Sequence, residues 1–405
     1  MKKLLSTTAI FGALALSAGT AEAANLQVNV GGFLDFQAGY TNDDITGRNN
    51  VAAESNDNAF NFNQDTEVHF TVEGTADNGL QYGAVIELEA DVGNTDPRHG
   101  GLNADKAYLF GQGAWGRVEL GSNTDSAQAL SVNTATFASA TGGVDGDFYR
   151  YTVLPANFAG IIRPELPISN AGSLFANGGS AAGDTGNLVG STDEDATKIT
   201  YYSPRFYGFQ VGASYVPNSN AAGDTAPNGS GYANIVTGGL NFTGQYDQVG
   251  VKASATGEWG ENKTPSRAVA GTATAQNLKA WNAGANVSLA GFTVGGSYGD
   301  WTNTLGDNVD ATYYDLGAGY AMGPWSVSGT YFHSHTGNPT LNAAAVTGPA
   351  GSDNFRNIVI GTDYKLAPGL VPYAEVSFFD FNGAGSSEAN DNSGTAVILG
   401  SQLTF

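Results

Sequence analysis

Histidines are considered first, because an imidazole can bind a transition metal or carry a proton. His333 and His335 lie two residues apart, so both would point to the same face of a strand and could share a metal ion. That face also carries Trp325, which predicts that it points outward and that the two rings lie at a polar boundary. His69 and His99 have no ligand-like neighbours in the sequence. The histidines therefore predict no metal site.

Short acidic segments could bind calcium through carboxylate oxygens. The sequence has two of them, Asp145-Gly146-Asp147 and Asp193-Glu194-Asp195. Neither has the ligand spacing of an EF-hand loop. Calcium therefore stays open beside the alternative that these are solvated loop carboxylates, and no other cofactor is predicted.

A glycine pattern of the dinucleotide-binding type, G-x-G-x-x-G, runs from Gly111 to Gly116. That motif needs a helix directly after it, whose N-terminus meets the pyrophosphate. The residues that follow, Arg117 to Ser122, alternate as a strand does, so we interpret the glycines as a hairpin turn. The sequence also lacks a phosphate loop, and it predicts a protein that is not an enzyme.

Composition narrows the class of protein. The 405 residues include 57 glycines and no cysteine, and the formal net charge is −22. Disulfides are excluded, and an acidic chain is not expected to bind nucleic acid, whose phosphates need a basic surface. Abundant Gly, Val, Thr, Tyr and Phe favour an all-β chain.

The first 23 residues have the features of a secretory signal peptide. A basic start at Lys2 and Lys3 precedes an apolar run over 4–16, and Ala21-Glu22-Ala23 is a typical cleavage site. We expect cleavage after Ala23 and a mature chain over 24–405. No later apolar run approaches the roughly 20 residues that a membrane-spanning helix needs.

Alternation of apolar and polar residues predicts sixteen strands, each with one apolar and one polar face. In the first, Val28, Val30 and Leu34 oppose Asn29 and Asp35. The predicted strands are 26–40, 64–76, 80–91, 104–112, 116–122, 195–203, 208–216, 232–242, 248–259, 278–289, 291–300, 311–321, 324–335, 354–365, 370–382 and 395–405.

The connections between these strands alternate between short and long. The short ones, such as Asp77-Asn78-Gly79 and a predicted turn over 243–247, contain tight-turn residues. The long ones are polar, and the longest covers 123–194. An antiparallel meander with short turns on one side and long loops on the other is typical of an outer-membrane β-barrel. We therefore predict a 16-stranded antiparallel transmembrane β-barrel whose third long loop, 123–194, folds inward and narrows a pore.

Aromatic residues near the strand ends would form two girdles at the membrane interfaces. Those near the long loops are Tyr40, Trp259, Trp281 and Trp301, and those near the short turns are Tyr82, Trp115, Phe209, Phe292 and Trp325. The apolar strand faces would then contact lipid, and the polar faces would line a water-filled lumen.

Charged residues at inward positions would act on ions in that lumen. The basic strand residues are Lys106, Arg117, Lys198 and Lys252, and the charged residues of the third long loop are Asp125, Asp145, Asp147, Arg150, Arg163 and Glu165. A basic wall that faces an acidic loop would create a transverse field, which orients polar solutes and sets ion preference. The acidic chain suggests a mild preference for cations.

Three segments and the last residue carry a resemblance to a known family. They are VNVGGFLDFQAGY (28–40), KAYLFGQGAWGRVELGS (106–122), KITYYSPRFYGFQVGASYVP (198–217) and Phe405. Together they resemble the general Gram-negative porins of the alphaproteobacterial type. The chain departs from the family at Ser122, where many members have an arginine directly after the L-G that ends the fifth strand. Only Lys106 and the loop acids as a group are therefore carried over.

The resemblance implies a homotrimer in the outer membrane that lets small hydrophilic solutes and ions diffuse passively. It also implies contacts with outer-membrane lipid and lipopolysaccharide, and a second long loop, 92–103, that reaches over a neighbouring subunit. Phe405 resembles the signal that the barrel-assembly machinery reads. The third long loop is long for the family, so part of it, 166–194, could extend outside the barrel.

Three alternatives remain open at this point. A substrate-selective channel for sugars or anions would show a stack of inward aromatics or a basic ladder, and neither is evident in the sequence. An outer-membrane hydrolase would need a Ser/His/acid set near one end of the barrel. A secreted adhesive or surface-layer protein would not need the alternation of loop lengths.

Overall fold

The computed structural model describes residues 26–44, 59–90, 103–135, 137, 143–152, 155, 158, 160–167, 196–219, 232–263, 276–302, 310–337, 351–384 and 391–405. Within these ranges no helix is both long enough and apolar enough to cross a bilayer. The predicted signal peptide, the second long loop and residues 168–195, including Asp193 and Asp195, lie outside the described residues.

Sixteen antiparallel strands form a single closed barrel, as predicted, and each pairs with its neighbours in sequence. They are β1 (Gln27–Asp43), β2 (Phe60–Thr75), β3 (Gln81–Glu89), β4 (Asn103–Gly113), β5 (Gly116–Ser122), β6 (Thr197–Tyr202), β7 (Phe209–Asn218), β8 (Tyr232–Tyr246), β9 (Val249–Asn262), β10 (Leu278–Leu289), β11 (Phe292–Asp300), β12 (Ala311–Met322), β13 (Trp325–Gly337), β14 (Ser352–Tyr364), β15 (Leu370–Asn382) and β16 (Asp391–Thr404).

Pairing of β1 with β16 closes the barrel. The register runs from Phe33 opposite Thr404 to Asp43 opposite Gly394. Beyond the last strand pair, the backbone groups of Gly32 and Phe405 exchange two hydrogen bonds of 3.1 Å. A sheet that crosses hydrocarbon must be closed in this way, because unpaired backbone groups cannot be satisfied there.

Alternation places apolar side chains outside and polar side chains inside along most strands. In β13 the outward residues Trp325 and Val327 are exposed, whereas the inward residues Ser328 and Thr330 are buried. The same alternation extends β8 beyond its predicted end. A two-residue turn, Asp247-Gln248, replaces the predicted turn over 243–247, and Tyr246 pairs with Val249. Asp247 adopts φ 53°, a left-handed conformation that aspartate tolerates well.

The described part of the third long loop lies against inward-facing side chains of the barrel. It starts with a short helix, α1 (Ser126–Leu130), which contacts β7, β8 and β9. Two 3₁₀ turns follow, Gly143–Asp145 beside β13 and β14, and Asp147–Arg150 beside β16.

An apolar core lies inside the barrel, between the loop and the inner wall of β12 to β16. Phe148 of the loop stacks on Phe355 with ring centroids 6.0 Å apart, and Phe158 meets Phe381 edge-on at 5.2 Å. Ile161, Ile162 and Leu166 are buried in the same cluster. The expectation of a uniformly polar inner face is therefore wrong on this side, where the loop covers inward aromatics and removes them from water.

Most of the predicted girdle aromatics are exposed on the outer surface, including Trp115, Trp259, Trp281 and Trp325. Tyr82 is half-buried. Trp301 is fully buried, and its indole Nε1 donates to the backbone oxygen of Glu165 at 3.1 Å. Trp301 follows the end of β11 at an inward position, so it fastens the loop instead of facing a membrane interface.

Candidate pore constriction

The third long loop is fastened to the inner wall by a series of hydrogen bonds that spans the strands. The backbone nitrogen of Val132 donates to Ser254 on β9 at 2.8 Å, and the Thr134 backbone donates to Asp315 on β12 at 2.8 Å. Ser328 on β13 donates to the backbone oxygen of Phe137 at 2.5 Å. The wall residues are small or short polar side chains, which let the loop backbone approach closely and satisfy its buried polar groups.

The tip of the loop joins the barrel wall at β1 and β2 through charged groups. Arg150 pairs with Asp147 at 3.0 Å and with Asp65 on β2 at 3.1 Å, and Asp147 accepts from Gln37 on β1 at 2.6 Å. Burial alone would lower the pKa of the Arg150 guanidinium, but Asp147, Tyr149 and Asp65 hold that pKa above its usual range. Arg150 therefore stays charged and links the loop to the wall.

Tyr151 adds a neutral contact beside this ion-pair network. Its hydroxyl donates to Gln37 at 3.1 Å. Burial raises the pKa of Tyr151 to about 12, and the neighbouring charge of Asp147 acts in the same direction. The phenol is therefore a hydrogen-bond donor, without charge, at any physiological pH.

The inner faces of β2 to β5 carry several charged side chains, some of which reach water. Lys106 pairs with Glu87 at 2.8 Å, and these side chains are 22% and 18% exposed. Arg117 pairs with Glu119 at 2.5 Å and lies over the ring of Phe110 at 4.1 Å. Lys106 and Arg117 thus lie on the inner wall, as their positions in the strands predict, and each is paired with a carboxylate.

Two of the predicted pore charges are buried and do not face water. Asp125 is fully buried and caps α1, where it accepts from the backbone nitrogen of Ala127 and from the hydroxyl of Thr237, both at 2.7 Å. Lys198 is 2% exposed and donates to the backbone oxygen of Asn123. For both residues the expectation of a charge in the lumen is wrong, because their side chains are enclosed and form hydrogen bonds at the start of the loop.

The remaining predicted residues are in different surroundings. Glu165 is nearly buried and accepts from Gln128 at 3.3 Å, so it ties the end of the described loop to α1. The guanidinium of Arg163 lies 4.9 Å from the ring centre of Tyr149. Lys252 is exposed at an inward position of β9. The side chain of Asp145 lies outside the described residues.

The expected arrangement of a basic wall against an acidic loop is not what the structure has. Among the described residues, the ion pairs of the wall and of the loop tip join five carboxylates to three lysine or arginine side chains, and a sixth carboxylate, Glu67, pairs with His69. The carboxylates are Asp65, Glu67, Glu87, Asp105, Glu119 and Asp147, and the cations are Lys106, Arg117 and Arg150. Except for Asp147, the sequence-based set of pore charges omitted these acids.

Two groups of residues bear on metal binding. Asp147 is engaged by Arg150 and Gln37, which leaves it a poor calcium ligand. In contrast, ligand atoms of Glu67, His69 and Glu87 on the inner faces of β2 and β3 all lie within 4.8 Å of one another. The prediction that His69 lacks ligand-like neighbours is therefore wrong, since Glu67 shares its face and Glu87 lies opposite.

The closed barrel, the loop fastened inside it and the charged inner wall define a membrane channel. The model of the Gram-negative porin family matches residues 7–384, so this chain belongs to the Gram-negative porins. It is a protein of the outer membrane that forms a channel for diffusion, and the family is one of channels, not of enzymes.

Relatives of similar length support the assignment. The chain is 26% identical to an uncharacterised protein of Rickettsia typhi, with 94% of this chain and 93% of the relative aligned. It is 25% identical over the full length of both chains to a monosaccharide porin of a Halomonas species and to the major outer membrane protein of Halomonas elongata.

Solved porin structures share the fold at low sequence identity. The anion-selective porin of Comamonas acidovorans superposes with a TM-score of 0.61 at 17% identity, covering 94% of this chain and all of that one. The Vibrio cholerae protein OmpT, solved in a trimer form, gives a TM-score of 0.54 at 12% identity, covering 94% of this chain and 99% of that one.

Proposed function

We propose that the channel passes small hydrophilic solutes and ions by diffusion, with a mild preference for cations. The observation that carries the preference is the excess of carboxylates in the ion pairs along β2 to β5 and the loop tip, where the described residues include six carboxylates against three lysine and arginine side chains. A wall with net negative charge concentrates cations and repels anions near it. The buried charges Asp125 and Lys198 contribute little to the field in the lumen, because both are enclosed by protein and hydrogen-bonded away from water.

The zero-current potential across a planar bilayer, with a potassium chloride gradient, tests this proposal. We expect the sign that indicates potassium preference. Glu87→Gln removes one partly exposed carboxylate and should reduce the ratio of cation to anion permeability about fivefold, since a unit charge about 8 Å away in water shifts the energy of a cation and that of an anion by ~0.5 kcal/mol each, in opposite directions. Chloride preference in the wild-type channel would refute the proposal.

Asp380→Asn is the matched control for that experiment. Asp380 is a carboxylate paired with Arg356 at 2.9 Å, as Glu87 is paired with Lys106, but it lies on the outward face of β15. Its loss should leave the zero-current potential unchanged. An equal shift in both variants would show that the potential reports the overall charge of the protein and not the charge of the wall.

Sugars are the second class of solute to consider, because one relative is a monosaccharide porin. The inward aromatics of β13 to β15 are buried beneath the loop, so in the described residues they offer no exposed stacking surface to a sugar ring. We therefore propose entry of monosaccharides by size alone. Liposome swelling should proceed at similar rates for monosaccharide isomers of one size, whereas a strong preference for one isomer would indicate a binding site.

We further propose that the protein assembles as a homotrimer through the outer faces of β1 and β2. The support is a set of exposed apolar residues there, including Val28, Phe36 and Phe62, together with the trimer form of OmpT. Native mass spectrometry in mild detergent should give three chains. Charged substitutions at Phe36 and Phe62 together should yield folded monomers, and an unchanged trimer would place the interface elsewhere.

Delivery and insertion complete the proposal. Residues 1–23 direct export, and Phe405 acts as the signal for the barrel-assembly machinery before the barrel meets outer-membrane lipid and lipopolysaccharide. Phe405 is 61% exposed on the seam of the barrel, so its ring is accessible to a partner. Phe405→Ala should reduce the amount of folded protein in outer membranes, with export to the periplasm unchanged.

A further inference from the structure

Three potential metal ligands meet on the inner wall of the barrel, at the pairing of β2 with β3. His69 lies directly opposite Glu87 in the register, and Glu67 lies two residues before His69 on the same face. The three ligand atoms are all within 4.8 Å of one another, and His69 Nε2 is 2.7 Å from Glu67 Oε2. Two adjacent strands thus hold an imidazole and two carboxylates in a triangle.

The triangle needs little rearrangement to bind an ion. Ligand atoms about 2.0–2.2 Å from a tetrahedral metal ion lie about 3.3 Å from each other. Rotation of the side chains is enough to bring the three ligand atoms to that separation. The strand backbones fix the Cβ positions of all three residues. Phe33 meets the imidazole edge-on, with ring centroids 6.4 Å apart, and limits the rotation of the ring.

The triangle is accessible to water and therefore to ions from the lumen. The exposed fractions of the side chains are 34% for His69, 20% for Glu67 and 18% for Glu87. Three protein ligands leave at least one coordination position for water. This accessibility distinguishes the triangle from the buried carboxylates Asp315 and Glu258, which are fully enclosed.

The donor set selects a class of ion. An imidazole nitrogen with carboxylate oxygens suits divalent first-row transition ions such as Zn²⁺, whereas Mg²⁺ and Ca²⁺ prefer oxygen ligands alone. Two carboxylates also supply the negative charge that a divalent ion needs. The ammonium of Lys106, which pairs with Glu87, opposes binding, but Lys106 also lies 3.4 Å from Asp105, which can hold the ammonium when Glu87 turns to the metal.

We propose that Glu67, His69 and Glu87 form a binding site for a divalent transition-metal ion on the inner wall of the channel, and that the bound ion reduces its conductance. The ion adds positive charge to a wall with excess carboxylates and narrows the path beside it. The binding part of the proposal is independent of the proposed function, and the conductance part rests on it.

Isothermal titration of the folded, detergent-solubilised protein with zinc chloride tests the binding part. We expect one site per chain, which Mg²⁺ at the same concentration does not occupy. His69→Ala and Glu87→Gln should each weaken binding by at least about tenfold. Lys106→Met should strengthen binding, because it removes a positive charge from the site and leaves Glu87 available to the metal.

Glu73→Gln is the matched control, because Glu73 is a carboxylate at an inward position of the same strand, two positions beyond Thr71 and away from the triangle. It should bind zinc as the wild-type protein does. Heat-dependent migration on a gel verifies that each variant is folded. Unchanged zinc binding in His69→Ala, equal binding of Mg²⁺, or weaker binding in Lys106→Met would each overturn the proposed site.

Single-channel recording separates the two parts of the proposal. Saturating zinc should lower the conductance of the wild-type channel and leave that of His69→Ala unchanged. Zinc that binds at His69 without any change in conductance would overturn the proposed effect on the channel. Absence of conductance before zinc is added would instead refute the proposed function, and the titration would still decide whether the metal site exists.

Discussion

At the level of single residues, burial decides whether a charge can act on a passing ion. Asp125 and Lys198 are enclosed by protein and hold the start of the loop in place, whereas Glu87 and Lys106 are partly exposed on the wall. Arg150 is intermediate, because it bridges the loop and β2 and keeps its charge between two carboxylates. Residues of the same type therefore serve as structural ties or as pore charges according to their surroundings.

Tyr151 provides a residue-level test of the loop tip. Its pKa of about 12 in the folded protein exceeds the value of 10.0 for an ordinary tyrosine. Because the folded-state pKa is raised, the contribution of the neutral phenol to stability is fully present below pH 10 and is lost as the pH rises towards 12. The difference in tyrosinate absorbance between the wild-type protein and Tyr151→Phe should therefore develop near pH 12. A difference that develops around pH 10 would mean that Tyr151 is exposed to water.

At the level of elements, the third long loop behaves as a second layer inside the barrel. Short polar side chains of β9, β12 and β13 bind its backbone, and aromatic residues of β14 and β15 pack against its side chains. The two kinds of contact are complementary, since hydrogen bonds fix the path of the backbone and apolar burial supplies most of the stabilisation. The loop therefore belongs to the folded core of the protein.

Removal of one inward aromatic should loosen this layer. Phe355 is fully buried and stacks on Phe148 and on Phe381, whose ring centroid is 4.5 Å away. Phe355→Ala leaves a cavity, and such a substitution in a well-packed core lowers the free energy of unfolding by about 3–5 kcal/mol. We expect a lower temperature for the heat-induced shift in gel mobility and larger fluctuations of the single-channel current.

Phe378→Ala is the control for that substitution, because Phe378 lies on the neighbouring strand but is 45% exposed on the outer face. It should change current fluctuations little, since it does not touch the loop. If the two variants had equally noisy currents, the loop would owe its position to contacts other than the aromatic cluster.

A polar anchor of the loop gives a second element-level test. Asp315 on β12 is fully buried and accepts from the backbone and hydroxyl of Thr134 and from the hydroxyl of Ser297. Asp315→Ala leaves these donors without a partner, at a cost of about 1–3 kcal/mol for each unsatisfied group. The chemical stability of the barrel towards guanidinium should fall, and proteolysis of the loop should become faster. Stability equal to that of the exposed-carboxylate variant Asp380→Asn would contradict this.

The sequence was sufficient to predict the sixteen strands, because alternation and loop length repeat along the whole chain. It did not reveal the inner apolar core, since Phe378 and Phe379 are adjacent and either could be the outward residue. The pairing of His69 with Glu87 was predictable in principle, as both lie six residues from the ends of a short turn, Thr75 and Gln81 being opposite. The capping role of Asp125 was not predictable from the sequence, because it depends on where the loop contacts β8.

At the level of the whole molecule, the seam between β1 and β16 is the contact that makes the sheet a closed barrel. Gly32 lies on this seam with φ 150°, and a Cβ atom there would overlap the backbone oxygen of Glu67 and approach the ring of Phe405 at 3.2 Å. Only glycine fits both the conformation and the space.

Substitution of Gly32 should therefore affect closure of the barrel. Gly32→Ala is expected to reduce the fraction of protein that migrates as folded barrel on unheated gels, because backbone strain of about 1–3 kcal/mol adds to the overlap. Gly329→Ala is the matched control, since a Cβ at Gly329 on β13 meets nothing within 4 Å. Normal folding of Gly32→Ala would show that the backbone around Glu67 on β2 moves enough to admit the methyl group.

The seam also sets the order of events in time. Its strands pair residues 33–43 with residues 394–404, so the contact has a very long sequence separation and is expected to form late in folding. Until then both open edges of the sheet carry unpaired backbone groups, which neither hydrocarbon nor a crowded compartment tolerates. Closure at the seam is therefore expected to be the last step of folding, after each of the two strands has paired with its other neighbour.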